Sequence, residues 1–475
     1  MNPITPLVER ANALASYAGS FAWPSLLYVS RGAILALLKN IQIGSLQIRD
    51  SDGTLTICGS PKRAESGEKE NVYTIPHAEF KVLNDLFWVR LLLFADMGFA
   101  ESYMLGEVEC PDITAFFKLF IVNRKYLSNG TTLTSNISGK VAGLVRRTNT
   151  LANARLNISA HYDISNDMFA AFLSPDMTYS CPIWLSKSDP YSSQETMEQA
   201  QYRKLCRFVN NAKIKSTDHV LEIGTGWGSF AILAVEKTNC RVTSLTLSEE
   251  QKRLAEDRIR KAGFQDRIKV LLCDYRSLPI RKEQDKYDKV VSIEMLEAVG
   301  AEYLETYFRC IDRLLKTNTG VAVFQCITIP ESRYEAYSKS DDFIRRYIFP
   351  GGHLPTITQL LDSIRAGSST KSSPPRLIPE SVENIGPHYA KTLRLWRQAF
   401  MQNFNTKIRP ALLEEHGQEQ EGKRMSEEDV ELFRRKWEYY FSYCEAGFAT
   451  KTLGDVILTV GREGAVGMME DVPLR

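Results

Sequence analysis

Between Asp218 and Pro330 the chain repeats one pattern five times: a short apolar run rich in β-branched residues, then a helix-length segment rich in Glu, Lys and Arg. The runs are HVLEI (219–223), CRVTSLT (240–246), RIKVLLC (267–273), YDKVVSI (287–293) and GVAVFQCITI (320–329). Buried parallel strands read as continuous apolar runs, because helices must cover both faces of their sheet. The alternation predicts a doubly wound, mostly parallel α/β domain. A last run, DVILTVGR (455–462), is expected as an antiparallel edge strand of the same sheet.

A chain of 475 residues is too long for one ordinary core, so two domains are expected. Residues 1–127 mix short alternating segments (Ser45–Arg49, Thr54–Cys58) with apolar helical stretches at 82–105 and 113–121, a smaller α+β N-terminal domain. The polar run PKRAESGEKEN (61–71) reads as a solvated loop, and the polar, basic residues 128–158 as a linker. The main domain is expected over 159–465, with a poorly ordered tail at 466–475. After Pro330 its pattern turns helical and aromatic, in stretches 333–352, 388–404 and 427–448 separated by the loops AGSSTKSSPP and EEHGQEQEGK.

Composition removes several function classes. A net charge of +2 excludes a nucleic-acid field and leaves only weak attraction to anionic membranes. Nine scattered cysteines without a CxxC pair indicate reduced, intracellular usage. Six distant histidines without HExxH predict no metal site. The start, MNPITPLVERANAL, lacks an apolar core and does not read as a secretory signal. The apolar stretch 22–38 is interrupted by Pro24, Ser25 and Arg31 and is too short to span a bilayer; a buried amphipathic helix is expected there.

The sharpest local signal is VLEIGTGWGSFAI (220–232). A strand delivers Glu222, and Gly224, Gly226 and Gly228 let the following turn approach a ligand closely. The spacing is ExGxGxG rather than the dinucleotide GxGxxG, and Glu222 suits the ammonium of a methionine moiety better than a pyrophosphate. S-adenosylmethionine (SAM) is therefore the expected cofactor. The second strand ends in TLSEEQ, where Thr246, Leu247 and Gln251 face the ribose position and Ser248 caps the next helix. The third ends in CDYRSLP, where Asp274 is placed for the adenine amino group beside Tyr275 and Arg276; the plainer alternative, a turn-forming aspartate, is disfavoured by the three successive strand ends that carry suitable polar groups.

Several strings now point to one family. HYDISNDMFAAFLSPDMTYSCPIW (161–184), LEIGTGWGSF, TLSEEQ, DYRSLP, EMLEAVG (294–300) and FIRRYIFPGGHLP (343–355) resemble cyclopropane-fatty-acyl-phospholipid synthases and mycolic acid cyclopropane synthases, and EMLEAVG and DFIRRYIFPGG are similar to the eukaryotic-type branch. FADMGFAESYMLGEVE (94–109) is similar to the small N-terminal domain of the longer members. The resemblance implies a class I SAM-dependent methyltransferase with helical acyl-binding insertions. It further implies that the SAM methyl is attacked by a cis-olefin of an unsaturated phospholipid or fatty acyl chain, and that a bound bicarbonate ion removes a proton so that the ring closes. By the same resemblance Cys181, Glu297 and Tyr389 are bicarbonate contacts, and Tyr179 and Ser180 are SAM contacts. Cys444, in SYCEAGF, matches a family cysteine long held catalytic; alkylation of an olefin needs no thiol nucleophile, and it is read here as structural. Where bacterial members carry a bicarbonate-binding histidine in an HTI string, this chain has QCI. Gln325 takes the histidine's place and Ile327 the backbone contact; an amide donates a hydrogen bond to an anion but carries no positive charge.

Tyr179, Trp184, Phe343, Tyr347 and Phe349 are candidates to face a carbocation, or simply to line an acyl channel. The family implies a cytoplasmic enzyme peripheral to membranes, in contact with a lipid surface; the oligomeric state, a homodimer included, stays open. Two other outcomes remain: a lipid C-methyltransferase giving a methyl branch or methylated olefin, for example on a sphingoid base, and a non-catalytic lipid-binding relic.

Overall fold

The computed structural model describes residues 24–60, 75–127, 165–369, 376–416 and 425–470. The loop expected at 61–71 and the linker at 128–158 lie outside the described residues. The chain divides into two compact units, Met1–Tyr162 with Met425–Ala446, and Asp163–Arg424 with Gly447–Arg475. Residues 425–446, which the sequence pattern assigns to the main domain, thus pack with the N-terminal unit.

The first unit holds a four-stranded sheet of β1 (Ser45–Arg49), β2 (Leu55–Gly59), β3 (His77–Val82) and β4 (Val108–Glu109), in the order β2-β1-β3-β4. Strand β3, HAEFKV, buries every second residue, so one face packs inward and the other meets solvent. Against that inner face lie helices Leu86–Met104 and Ile113–Leu127 and an aromatic core in which Phe99 stacks on Phe116 at 4.2 Å. The first helix bends at Ala95, whose φ of 49° is left-handed. Residues 24–38 form a helix that buries only the stripe Ser30, Ile34 and Leu38. No helix among the described residues is long and apolar enough to cross a membrane.

The second unit is built on a seven-stranded sheet whose five sequence-read strands are β5 (His219–Ile223), β6 (Arg241–Thr246), β7 (Ile268–Leu272), β8 (Lys289–Ile293) and β9 (Val321–Thr328). All five are parallel, as expected. Strand β11 (Gly454–Arg462) is antiparallel, but it is not the edge: β10 (Leu377–Asn384) covers it, giving the order β10-β11-β9-β8-β5-β6-β7. All nine residues of β11 are buried, which an edge position would not allow. From β5 the chain moves outward to β6 and β7, then returns to lay β8 and β9 on the other side. The order therefore reverses between β5 and β8, and the crevice at their C-terminal ends is where open α/β sheets bind ligands. Of the expected tail, Val466–Met469 forms a 3-10 turn, and 471–475 lie outside the described residues.

Candidate active site

The turn after β5 supplies the first wall of that crevice. Gly224, Gly226 and Gly228 all have positive φ (97°, 51° and 86°), which side chains rarely adopt. A Cβ added at Gly226 would meet nothing within 4 Å, so the protein leaves open space over the turn. Glu222 is buried beneath it, and its carboxylate accepts from the Ser244 hydroxyl, which is 2.6 Å from the Thr225 hydroxyl. Burial pushes the Glu222 carboxyl up to about 8, although Ser244 pulls it back. A desolvated acid beside an open glycine turn fits the cationic amino-acid end of SAM.

The neighbouring strand ends carry the other cofactor residues. Ser248 caps helix Glu249–Lys261 by accepting from Gln251 N, as expected, and Thr246 donates to Gln251 Oε1 at 2.9 Å. Leu247 is exposed. Asp274 accepts from Arg276 N at 2.8 Å and from the Arg276 guanidinium at 2.6 and 2.9 Å, which holds its carboxyl below the usual range. It is thus also the turn-forming aspartate of the simpler reading. Tyr275 is buried beside it.

The second wall is a cluster of acids at the ends of β8, β9 and β11. A Cβ on Gly224 would lie 3.5 Å from Met295 Cβ, so the glycine turn and the EMLEAVG segment are neighbours. Within that segment Glu294 has a φ of 48°, rare for a residue with a side chain. Its carboxylate accepts from Cys181 N (2.8 Å), Tyr389 Oη (2.7 Å) and Gln325 Nε2 (2.7 Å). Gln325 Nε2 also lies 2.7 Å from Asp455 Oδ2 and 3.3 Å from the Cys181 carbonyl. Ile327 N donates to Glu297 Oε1 at 2.5 Å.

Burial raises all three carboxyls. Glu297 reaches about 8, with the Glu294 charge adding to the effect, and Asp455 moves well above its ordinary value for the same two reasons. Glu294 is raised by burial but pulled back by its donors and by Lys204. Three like charges cannot share so small a space, and the group with three donors keeps its charge most readily. Glu294, with three donors on its carboxyl, is the acid of the cluster best placed to carry a negative charge, while burial and the Glu294 charge favour the neutral forms of Asp455 and Glu297. Lys204, fully buried on helix Met197–Asn211, donates to Ser180 Oγ at 2.7 Å; burial lowers its pKa and the Glu294 charge pulls it back up. The Cys181 thiol, pushed well above its ordinary value by burial, is neutral and no nucleophile.

An aromatic surface adjoins the acids. Tyr389, on helix Gly386–Asn403, packs on Phe448 (4.6 Å) and Trp396 (5.9 Å), and Trp396 on Tyr179 (5.1 Å), which touches Phe169 at 5.1 Å. Of the aromatic candidates, Tyr179 belongs to this surface. Trp184 is buried and already carries a cation on one face, with Lys391 Nζ 3.7 Å from its ring centroid. Phe343 and Tyr347 pack on each other at 5.6 Å, and Phe349 is exposed. Cys444 is half-buried in the other unit, on helix Glu427–Ala449.

The structure thus brings together Cys181, Glu297, Gln325, Ile327 and Tyr389, and adds Glu294, Asp455 and Lys204, which sequence reasoning missed. Glu294 opens the EMLEAVG string, three residues before Glu297, and a second acid in that string was the available signal. The donors that the resemblance assigns to bicarbonate are already engaged by carboxylates of the chain, so these residues do not fit a further anion as they are arranged here.

Comparison with known proteins agrees with the geometry. Residues 149–457 match the family model for mycolic acid cyclopropane synthetase. Tuberculostearic acid methyltransferase UfaA1 of Mycobacterium tuberculosis is 33% identical over 484 residues, covering 96% of this chain and 99% of that protein. Cyclopropane-fatty-acyl-phospholipid synthase of Escherichia coli is 30% identical, covering 82% and 90%. The crystal structure of mycolic acid cyclopropane synthase CmaA1 with SAH and CTAB superposes with a TM-score of 0.52 at 26% identity, over 65% of this chain and 98% of that one. Sheet order, glycine turn and these neighbours define a class I SAM-dependent methyltransferase. The chain belongs to the mycolic acid cyclopropane synthetase family, a family of lipid-modifying enzymes.

Proposed function

We propose that the chain methylates a cis double bond of an unsaturated phospholipid or fatty acyl chain and closes the product to a cyclopropane. The observation that carries this reading is a carboxylate, Glu294, held against an aromatic surface at the sheet's switch point. SAM, when bound, supplies an electrophilic methyl carbon. Glu222 and the glycine turn are assigned its amino-acid end, with Tyr179 and Ser180 beside it. Thr246, Leu247, Ser248 and Gln251 take the ribose side, and Asp274, Tyr275 and Arg276 the adenine. Tyr179 and Tyr389, backed by the buried Trp396, are assigned to face the positive charge that alkylation leaves on the acyl chain and to exclude the water that would capture it. Loss of a proton from the new methyl group to a base on that side closes the ring. A lipid substrate also requires contact with a membrane surface, made from a cytoplasmic, peripheral position.

The match over nearly the whole chain to a tuberculostearic acid methyltransferase supports a second reading, a methyl-branched product. The two separate on expression in a host whose lipids carry cis-monounsaturated chains. Proton NMR of the extracted lipid is expected to show the upfield cyclopropane methylene while the olefinic signal falls. A retained olefinic proton beside a new methyl would replace the ring with a methylated olefin, which mass does not separate from the ring since both add one CH2; a methyl doublet would mean a saturated branch, two hydrogens heavier and requiring a hydride donor.

A further inference from the structure

We infer that Glu294 is the resident base of the reaction, doing with a side chain of this chain what an exchangeable anion would otherwise do. The inference rests on the proposed methylation of an olefin and names the group that takes the proton. Three observations carry it. First, Cys181 N, Tyr389 Oη and Gln325 Nε2 converge on one carboxylate at 2.7–2.8 Å, so the donor set closes around Glu294. Second, Glu294 stands in a left-handed conformation at φ 48°, which costs on the order of 1 kcal/mol for a residue with a Cβ. Glycine would avoid that strain, so the position holds an acid against its backbone preference. Third, of the two acids that Gln325 bridges, Glu294 is the less enclosed: its residue is half-buried, whereas Asp455 is fully buried.

The step balances within the site. The C–S bond to the methyl breaks as the olefin's electron pair forms a C–C bond, leaving a cation on the neighbouring carbon. A proton then passes from the new methyl to a Glu294 carboxylate oxygen, and the C–H electron pair closes the ring. Glu294 becomes a neutral acid. Gln325, donating to both Glu294 and Asp455, fixes which oxygen of Glu294 faces the methyl, and Lys204 favours the ionised form before the step.

The test uses the full-length chain, SAM, and vesicles of total lipid extracted from the expression host. It follows S-adenosylhomocysteine release and product NMR, in carbon-dioxide-free buffer and with added bicarbonate. Wild type is expected to turn over equally in both buffers. Glu294→Gly, which relieves the left-handed strain and leaves the donors facing a space, is expected to bind S-adenosylhomocysteine normally and to lose on the order of 100-fold in turnover. Added bicarbonate or formate should restore part of it. Glu294→Gln should lose as much, and its amide should block the rescue. Cofactor binding in both variants shows that they fold. Wild-type turnover that vanishes without bicarbonate, or near-wild-type turnover by Glu294→Gln, would overturn the assignment while leaving the methylation reading intact. If wild type releases no S-adenosylhomocysteine from the extracted lipid, the methylation reading falls and the base with it.

Discussion

Under the proposed assignment of the cofactor's amino-acid end, the buried acid Glu222 couples cofactor binding to pH. Its carboxyl lies at about 8 in the folded chain against an ordinary 4.5, and Glu297 is shifted in the same direction to about 8. Between those values the folded state binds protons that the unfolded state has released. The stability each group contributes is therefore complete below about 4.5 and is lost as pH rises through 8. Thermal unfolding of the apo chain is expected to move to lower temperature across that window, with a shallower slope in Glu222→Gln, where one raised carboxyl fewer titrates. Cofactor affinity should run the other way. An ammonium beside Glu222 favours the carboxylate, so S-adenosylhomocysteine should bind more tightly as pH approaches 8, and Glu222→Gln should flatten that rise. Calorimetry at pH 6 and pH 8 decides it: the same pH dependence in wild type and variant would separate Glu222 from the ligand. Glu222 could be read from sequence because it stands inside a turn motif whose chemistry is local. Glu294 was visible only as a second acid in EMLEAVG, and its role was not legible, because its donors come from residues 181, 325 and 389 and nothing in that string announces a positive φ.

The parallel strands were legible as elements because β5, β6, β8 and β9 are buried on both faces, and all five, the edge strand β7 included, are apolar runs set between charged segments. Strand β10 was not: LIPESVEN is mostly exposed and contains Pro379, tolerated at an edge where its missing N–H costs no ladder bond. Without β10 in the pattern, β11 falls at the edge, although its apolar run DVILTV itself implies cover on both sides. The slip hides more than topology. Strand β11 pairs with β9 in a register that sets Asp455 opposite Ile327 and Ile457 opposite Gln325, which is how an acid near the C-terminus enters the cluster. The glycine turn allows a matched test at this scale. Gly226 and Gly263 both have positive φ and open space where a methyl would sit, but only Gly226 lines the crevice. Alanine at either should cost about 1 kcal/mol of stability from the left-handed backbone. Only Gly226→Ala should weaken S-adenosylhomocysteine binding, by at least about tenfold, or about 1.4 kcal/mol. Equal binding by the two variants would move the cofactor off the turn.

At the scale of the whole chain, the division into units is not a division of the sequence. Helix Glu427–Ala449 follows the catalytic segments in sequence, yet its residues to Ala446 pack with the N-terminal unit. Tyr439 is buried there against Phe117 at 4.9 Å, Tyr103 at 5.8 Å and Phe99 at 6.4 Å, and Tyr443 against Phe117 at 5.2 Å. Arg435 donates to the carbonyls of Tyr103 and Val108, and Thr114 to Glu445. Periodicity marks this helix as amphipathic, but no single-chain pattern says which of two cores an aromatic face will enter. Aromatic pairs of this kind contribute about 1 kcal/mol each beyond their burial. A fragment of residues 165–475 would keep every acid of the active-site cluster while leaving that aromatic face without Phe99, Tyr103 and Phe117. It is therefore expected to aggregate or to melt well below the full chain, and co-expression with residues 1–162 should recover a soluble complex that binds S-adenosylhomocysteine. Size-exclusion chromatography and thermal unfolding of the fragment, alone and co-expressed, measure this directly. A monodisperse fragment melting with the full chain would mean that the helix does not need the N-terminal unit and that the catalytic segments are self-sufficient.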